Sequence, residues 1–149
     1  MISKEDLLEL MKIRHSRRSY GQSKLAHQEE INMLIETAWL SPSRYGDEPW
    51  RQVICNRQSN QDAWEKLLSC PTEPNQKWAK DTQILIISLS TKNFHDHTKI
   101  VNFWGSHDTG IANYTFMLQS YIYEFNAHQM SRFDRNKIVK NSIYQMILI

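Results

Sequence analysis

At 149 residues the chain has the length of one domain with a substantial core. A net charge of +2 is too small to argue for a nucleic-acid or membrane partner. The longest apolar runs, ILII at 84–87 and MILI at 146–149, are far too short to cross a bilayer, and no apolar stretch follows a basic start as in a secretory leader.

The predicted elements follow in chain order. Ser3, with Asp6 after it, reads as the cap of a first short helix carrying Leu7, Leu8, Met11 and Ile13. Ile31, Leu34, Ile35, Ala38 and Trp39 form a helical stripe preceded by the acidic turn Gln28, Glu29 and Glu30, and Pro42 stops that helix. Residues 52–55 read as a strand. Residues 59–68 read as a helix capped by Ser59, with Trp64, Leu67 and Leu68 inward. Pro71 and Pro74 bracket a loop. The clearest strand is TQILIISLS at 82–90, apolar enough to be covered on both faces. Residues 92–107 read as a polar loop holding His95, Asp96, His97 and His107. Asp108 opens a long helix to about Phe125, with Ile111, Thr115, Leu118 and Ile122 on one face. Asp134 caps a short helix through Ile138, and YQMILI closes the chain as a strand or a loose end. Helices and strands intermix without repeats, so the expected class is α+β.

The cysteines Cys55 and Cys70 lack the spacing of a metal pair and read as two reduced thiols of a cytoplasmic protein. No metal site is expected. The loop histidines read as solvated side chains, with a divalent site at 95–108 as the minority alternative. Of the tryptophans, Trp39 and Trp64 fall on apolar helix faces and read as core; Trp104, in polar surroundings, is the better candidate to line a ligand cleft. His128 reads as a packed or hydrogen-bonded histidine.

The chemistry is expected in RHSRRSY at 14–20 and SPSRYGDEPW at 41–50. Three guanidinium groups beside the Ser16 hydroxyl offer the planar donor forks that suit phosphate. Taken singly, each segment is weak: a short basic run is usually a solvated face, and Pro-Gly segments are usually turns. Together they resemble, in order and spacing, the flavin-binding elements of the FMN-dependent nitroreductase family. NQKWAKDTQILIIS at 75–88, NFWGSHDTGIANYTFMLQ at 102–119 and AHQMSRFD at 127–134 extend the resemblance to about Asn141.

The resemblance implies a nitroreductase-like three-layer α+β fold, with a central, mainly antiparallel sheet flanked by helices, as a single domain and a homodimer. It implies FMN as cofactor and NAD(P)H as reductant. Hydride would pass by way of flavin N5 to a small acceptor such as a nitro compound or quinone, the flavin supplying the chemistry and the protein its orientation. By the same resemblance Arg14, Ser16 and Arg18, with His15 beside them, grip the FMN phosphate. Pro42, Ser43, Arg44 and Gly46 lie against the ring bound to the partner subunit. Asn75 meets the pyrimidine edge, and Gln129, Met130 and Ser131 face N5 and O4. No acid or base residue is implied.

The departures from the family pattern carry their own expectations. Gly46 and Glu48 stand where Asn and Gln are usual, and Ser131 and Arg132 where small residues let backbone approach the ring. Glu124 and Asn126 end the long helix where the family often has glycine. NSIYQMILI stands where members continue into a strand and a basic tail that reach the partner. These departures make the alternative a truncated, non-catalytic relative that binds FMN weakly or not at all.

Overall fold

The computed structural model describes residues 4–21, 24–95 and 99–140. Helix α1 spans Lys4–Ile13, with Glu5 and Asp6 in its first turn and Lys12 in its last, a charge order that suits the helix dipole. Its expected Ser3 cap lies outside the described residues. Leu7, Leu8, Met11 and Ile13 do fall on this helix, but each is 46–54% exposed; this chain alone does not bury them.

Helix α2 spans Gln28–Trp39 and buries Ile31, Leu34, Ile35 and Ala38. The Glu30 carboxylate accepts from the His27 backbone N–H at 2.9 Å, one arm of a capping box. Trp39 is not core as expected; it is 40% exposed. Its position is about 80° round the helix from Ile31, on the flank of the buried stripe and not within it.

Strands β1 (Trp50–Asn56) and β2 (Ile84–Ser90) pair antiparallel in a register that sets Trp50 opposite Ser90 and Val53 opposite Ile87. The pleat sorts their side chains. Val53, Cys55, Leu85 and Ile87 face helix α3 (Gln61–Leu68), packing with Ala63, Trp64 and Leu67. On the opposite face Ile54 and Ile84 meet Ile31 and Ile35 of α2. Trp50, wholly buried, packs with Ala38 and with Ala112 of helix α5 (Gly105–Ile122). The result is three layers, and β2 is covered on both sides as its composition required.

The local details adjust several expectations. The α3 cap is Asn60, not Ser59: its Oδ1 accepts from the Ala63 N–H at 3.0 Å. Pro71 and Pro74 do not bracket a loop, because helix α4 spans Glu73–Ala79 with Pro74 in its first turn, where a missing N–H removes no helical bond. Helix α5 starts earlier than expected and takes His107 out of the loop. Its buried residues are Gly105, Asp108, Thr109, Ala112, Met117 and Ser120, whereas Ile122 is 60% exposed. Close packing explains this choice of face. A Cβ at Gly105 would lie 2.7 Å from Ser90 Oγ, so the helix turns its small residues, not its branched ones, toward the sheet.

The end of α5 is a Schellman motif. Phe125 N–H donates to the Ser120 carbonyl at 2.8 Å and Glu124 N–H to that of Tyr121 at 2.9 Å. Glu124 holds the left-handed position, φ 62°, that glycine would occupy without strain. Helix α6 spans Arg135–Lys140, and Asp134 Oδ1 accepts from the Asn136 and Lys137 N–H groups, as the sequence predicts. The YQMILI segment lies outside the described residues. Cys55 and Cys70 are buried and form no disulfide. Burial, and then the neighbouring Cys70, push the Cys55 thiol up. Among the described residues no helix is long and apolar enough to cross a membrane.

Candidate functional site

The expected site residues fall into two regions. The first is built by the strap after α1, by α4 and by the segment after α5. Arg14 continues the α1 backbone pattern, its N–H donating to the Leu10 carbonyl at 2.9 Å. Its side chain turns inward. Nε and Nη1 are buried without a hydrogen-bond partner among the described residues. His15, Ser16 and Arg18 are exposed beside it, with His15 Nδ1 donating to the Ile13 carbonyl at 3.0 Å.

An aromatic stack fixes the strap. Trp78 of α4 lies between Tyr20, at 6.0 Å between ring centroids, and His128, at 4.6 Å. His128 Nδ1 also donates to the Arg17 carbonyl at 2.8 Å, and the Tyr20 hydroxyl to the same oxygen at 3.2 Å. Burial pushes the Tyr20 phenol up to about 12.

A short antiparallel pairing adds the third segment. Pro71 bridges Phe133, Thr72 N–H donates to the Arg132 carbonyl at 3.1 Å, and Asp134 N–H to that of Cys70 at 2.8 Å. This pairing seats Gln129, Met130 and Ser131 beside the start of α4, where Asn75 is half-buried. Met130 packs on the core, while Gln129 and Ser131 stay on the outside. Neither Ser131 nor Arg132 has a positive φ, so neither position demands glycine.

The second region is the loop 41–50 with the β2–α5 connection. Pro42 is exposed; Ser43 Oγ accepts from the Glu48 N–H at 2.9 Å. Tyr45, Gly46 and Glu48 all take positive φ, at 57°, 66° and 48°, so only one of the three positions has the residue best suited to it. Two carboxylates hold this shape. Asp108 Oδ2 accepts from the Arg44 N–H at 2.8 Å and its Oδ1 from His107 at 3.0 Å. Asp47, its side chain 5% exposed, accepts from the His95 N–H at 2.7 Å and from Asn102 Nδ2 at 3.0 Å. The His95 ring closes the latch. Nδ1 donates to the Asp47 carbonyl at 2.7 Å, and Nε2 accepts from Arg51 at 2.6 Å.

Sequence reasoning named neither Asp47 nor the stack of Tyr20, Trp78 and His128 as parts of a site. Asp47 occupies a position the motif leaves open. The stack joins three distant segments that only the fold brings together. Among the described residues, the hydrogen bonds of the strap run to α1 and to His128, and those of the loop to the β2–α5 connection and α5. His95 and His107 sit on separate carboxylates and, among the described residues, no group of three or more histidine, cysteine or acidic side chains is placed to hold a metal; Asp96 and His97 lie outside them.

A three-layer α+β domain with an arginine strap on one side and a tied Pro-Ser-Arg loop on the other defines the class of fold. The Nitroreductase family model matches residues 11–140, and the chain belongs to that family. A Methanothermobacter thermautotrophicus protein, by assigned name an NADH dehydrogenase/NAD(P)H nitroreductase, is 28% identical over 120 residues, covering 80% of this chain and 58% of its own length. A Staphylococcus haemolyticus protein with an NAD(P)H nitroreductase name is 33% identical over 89 residues, covering 60% of this chain and 39% of its own. The chain therefore spans about two-fifths to three-fifths of the length of these curated relatives. A solved oxidoreductase containing FMN superposes with a TM-score of 0.81 at 25% identity, covering 94% of this chain and 73% of that one.

Proposed function

We propose that this protein is an FMN-dependent NAD(P)H oxidoreductase that acts on nitro compounds or quinones as a cytoplasmic homodimer. The observation that carries the reading is Arg14. A guanidinium with Nε and Nη1 buried and without a partner among the described residues costs free energy unless an anion satisfies it. Its planar fork fits a phosphate. Ser16 and Arg18 flank it from the exposed side, so the donor set suits the ribityl phosphate of FMN.

In this reading Arg14, Ser16 and Arg18 hold the phosphate, with His15 beside them. Asn75 bonds the polar edge of the ring, and backbone groups of Gln129, Met130 and Ser131 line its other edge. Bound FMN would supply the hydride chemistry. The protein's part is to hold, orient and polarise, and no side chain of this chain is assigned as acid or base. Pro42, Ser43, Arg44 and Gly46 would serve the ring held by the partner. One observation supports an assembly: the apolar residues of α1 face outward, ready to be covered by a second copy. Two cysteines that form no disulfide agree with a reducing compartment.

The test is a titration of the purified protein with FMN and with riboflavin, combined with sedimentation. The expected result is FMN bound more tightly than riboflavin, by a dimer, and reduced by NADH or NADPH. Equal affinity for the two flavins would remove Arg14 from a phosphate site. A monomer holding stoichiometric FMN would remove the shared site. Absence of flavin binding would leave the alternative of a non-catalytic relative.

A further inference from the structure

Arg44, in the loop 41–50, carries an exposed side chain. Its guanidinium carbon lies 4.9 Å from the Tyr45 ring centroid and 5.4 Å from that of Trp104. Its side-chain hydrogen bond is a long one, 3.4 Å, to the Tyr45 hydroxyl. Among the described residues no carboxylate pairs with it. Around it the surface is aromatic: Tyr45 is 83% exposed, Phe103 85% and Trp104 48%, and Phe94 leans on Tyr45 at 6.0 Å.

This cluster is held, not loose. Asp108 fixes the Arg44 backbone. Asn102, buried and bonded to Asp47, accepts from the Trp104 N–H at 3.0 Å. His107 meets the Trp104 ring edge-on at 6.1 Å. The positive φ of Tyr45 turns a large ring outward at a cost in strain, and such strain persists where the surroundings enforce it. Two buried carboxylates thus fix the two sides of one cationic, aromatic clamp. Its chemistry is complementary to a flat aromatic ring bearing an anionic group: the ring lies against indole and phenol, and the anion meets the guanidinium fork.

We propose that Arg44, with Tyr45 and Trp104, selects anionic aromatic acceptors such as aromatic carboxylates over their neutral counterparts. The proposal rests on the flavin-enzyme reading above, which sets the loop 41–50 beside the ring. The experiment is calorimetric binding of 4-nitrobenzoate and of its neutral isostere 4-nitrobenzamide to protein saturated with FMN. Wild type should prefer the carboxylate by about tenfold or more, the worth of one charge-assisted bond. Arg44→Gln should shrink that ratio to about twofold or less, with Arg44→Lys between the two. Trp104→Leu should weaken both ligands together and leave the ratio standing.

Equal binding of the two ligands by wild type, or a ratio that survives Arg44→Gln, overturns the proposal. So does an Arg44→Gln effect confined to the KM for NADH, which would assign the guanidinium to the dinucleotide. Flavin uptake is read separately in the same samples. A wild type that holds FMN and does not discriminate removes this inference and leaves the function standing; one that takes up no FMN removes both.

Discussion

The two regions of the candidate site are built by opposite means. The loop 41–50 is tied by charge. Both carboxylates are almost fully buried: Asp47 of the loop accepts from His95 and Asn102 of the β2–α5 connection, and Asp108 of α5 accepts from the Arg44 N–H of the loop and from His107. The strap 14–20 is held by a ring stack and two bonds to one carbonyl, and it leaves an arginine with buried donors unpartnered. The difference teaches where ligand energy would go. The loop 41–50 is shaped by this chain's own polar groups, so its geometry should not depend on a cofactor. In the strap, an anion would satisfy donors that the described residues do not, so binding and local order should rise together.

The largest expected effect tests that contrast on the ligand side. Each of Arg14→Ala and Arg18→Ala should weaken FMN by roughly 1.5–3 kcal/mol, about 10- to 150-fold. The double variant should weaken FMN much more than riboflavin, measured by flavin fluorescence titration. Equal losses for both ligands would break the comparison.

Next comes the region tied by charge. Asp47→Ala leaves the His95 N–H and Asn102 Nδ2 without their acceptor, which should cost about 2–4 kcal/mol. For a domain of this size that is a fall in Tm of roughly 5–10 °C, and it should occur with or without FMN. A fall that added FMN abolishes would mean that this loop, too, takes its order from the ligand.

A smaller effect sharpens the picture of the strap. Folding raises the Tyr20 phenol from 10.0 to about 12, so between those values the folded protein binds more protons than the unfolded chain. Its stability should then decline as pH rises from 10.0 towards about 12. Tyr20→Phe should flatten that part of the stability profile. Denaturant melts across the alkaline range check it, and an unchanged slope would mean that the ring is not buried in solution.

The smallest effect concerns the end of α5, which joins the two regions. Glu124→Gly removes the strain of a non-glycine residue at φ 62° but loses the exposed pair with Lys24 at 3.0 Å. The left-handed cost of about 1–2 kcal/mol exceeds the few tenths typical of such a pair, so a net gain of about 0.5–1 kcal/mol in thermal unfolding is expected. A loss would show that Lys24 holds the corner.

The sequence by itself determined whatever depends on neighbours along the chain. The stripe of α2, the cap at Asp134 and the doubly covered β2 each follow from spacing, a short acceptor side chain or a run of branched residues. The family was legible for the same reason, because its motifs are local. Local pattern misled where packing chose between faces. Helix α5 turns Gly105, Asp108 and Ala112 inward and leaves Ile122 outside, since a helix pressed against a sheet needs small residues at the contact. Trp39 failed as core because one step round a helix moves a side chain by about 100°. Only the tertiary structure could show that Asp47 ties the loop 41–50 to the β2–α5 connection, or that Trp78 joins Tyr20 to His128. Each of these links spans tens of residues, and nothing in the spacing of one segment records which distant segment will lie against it.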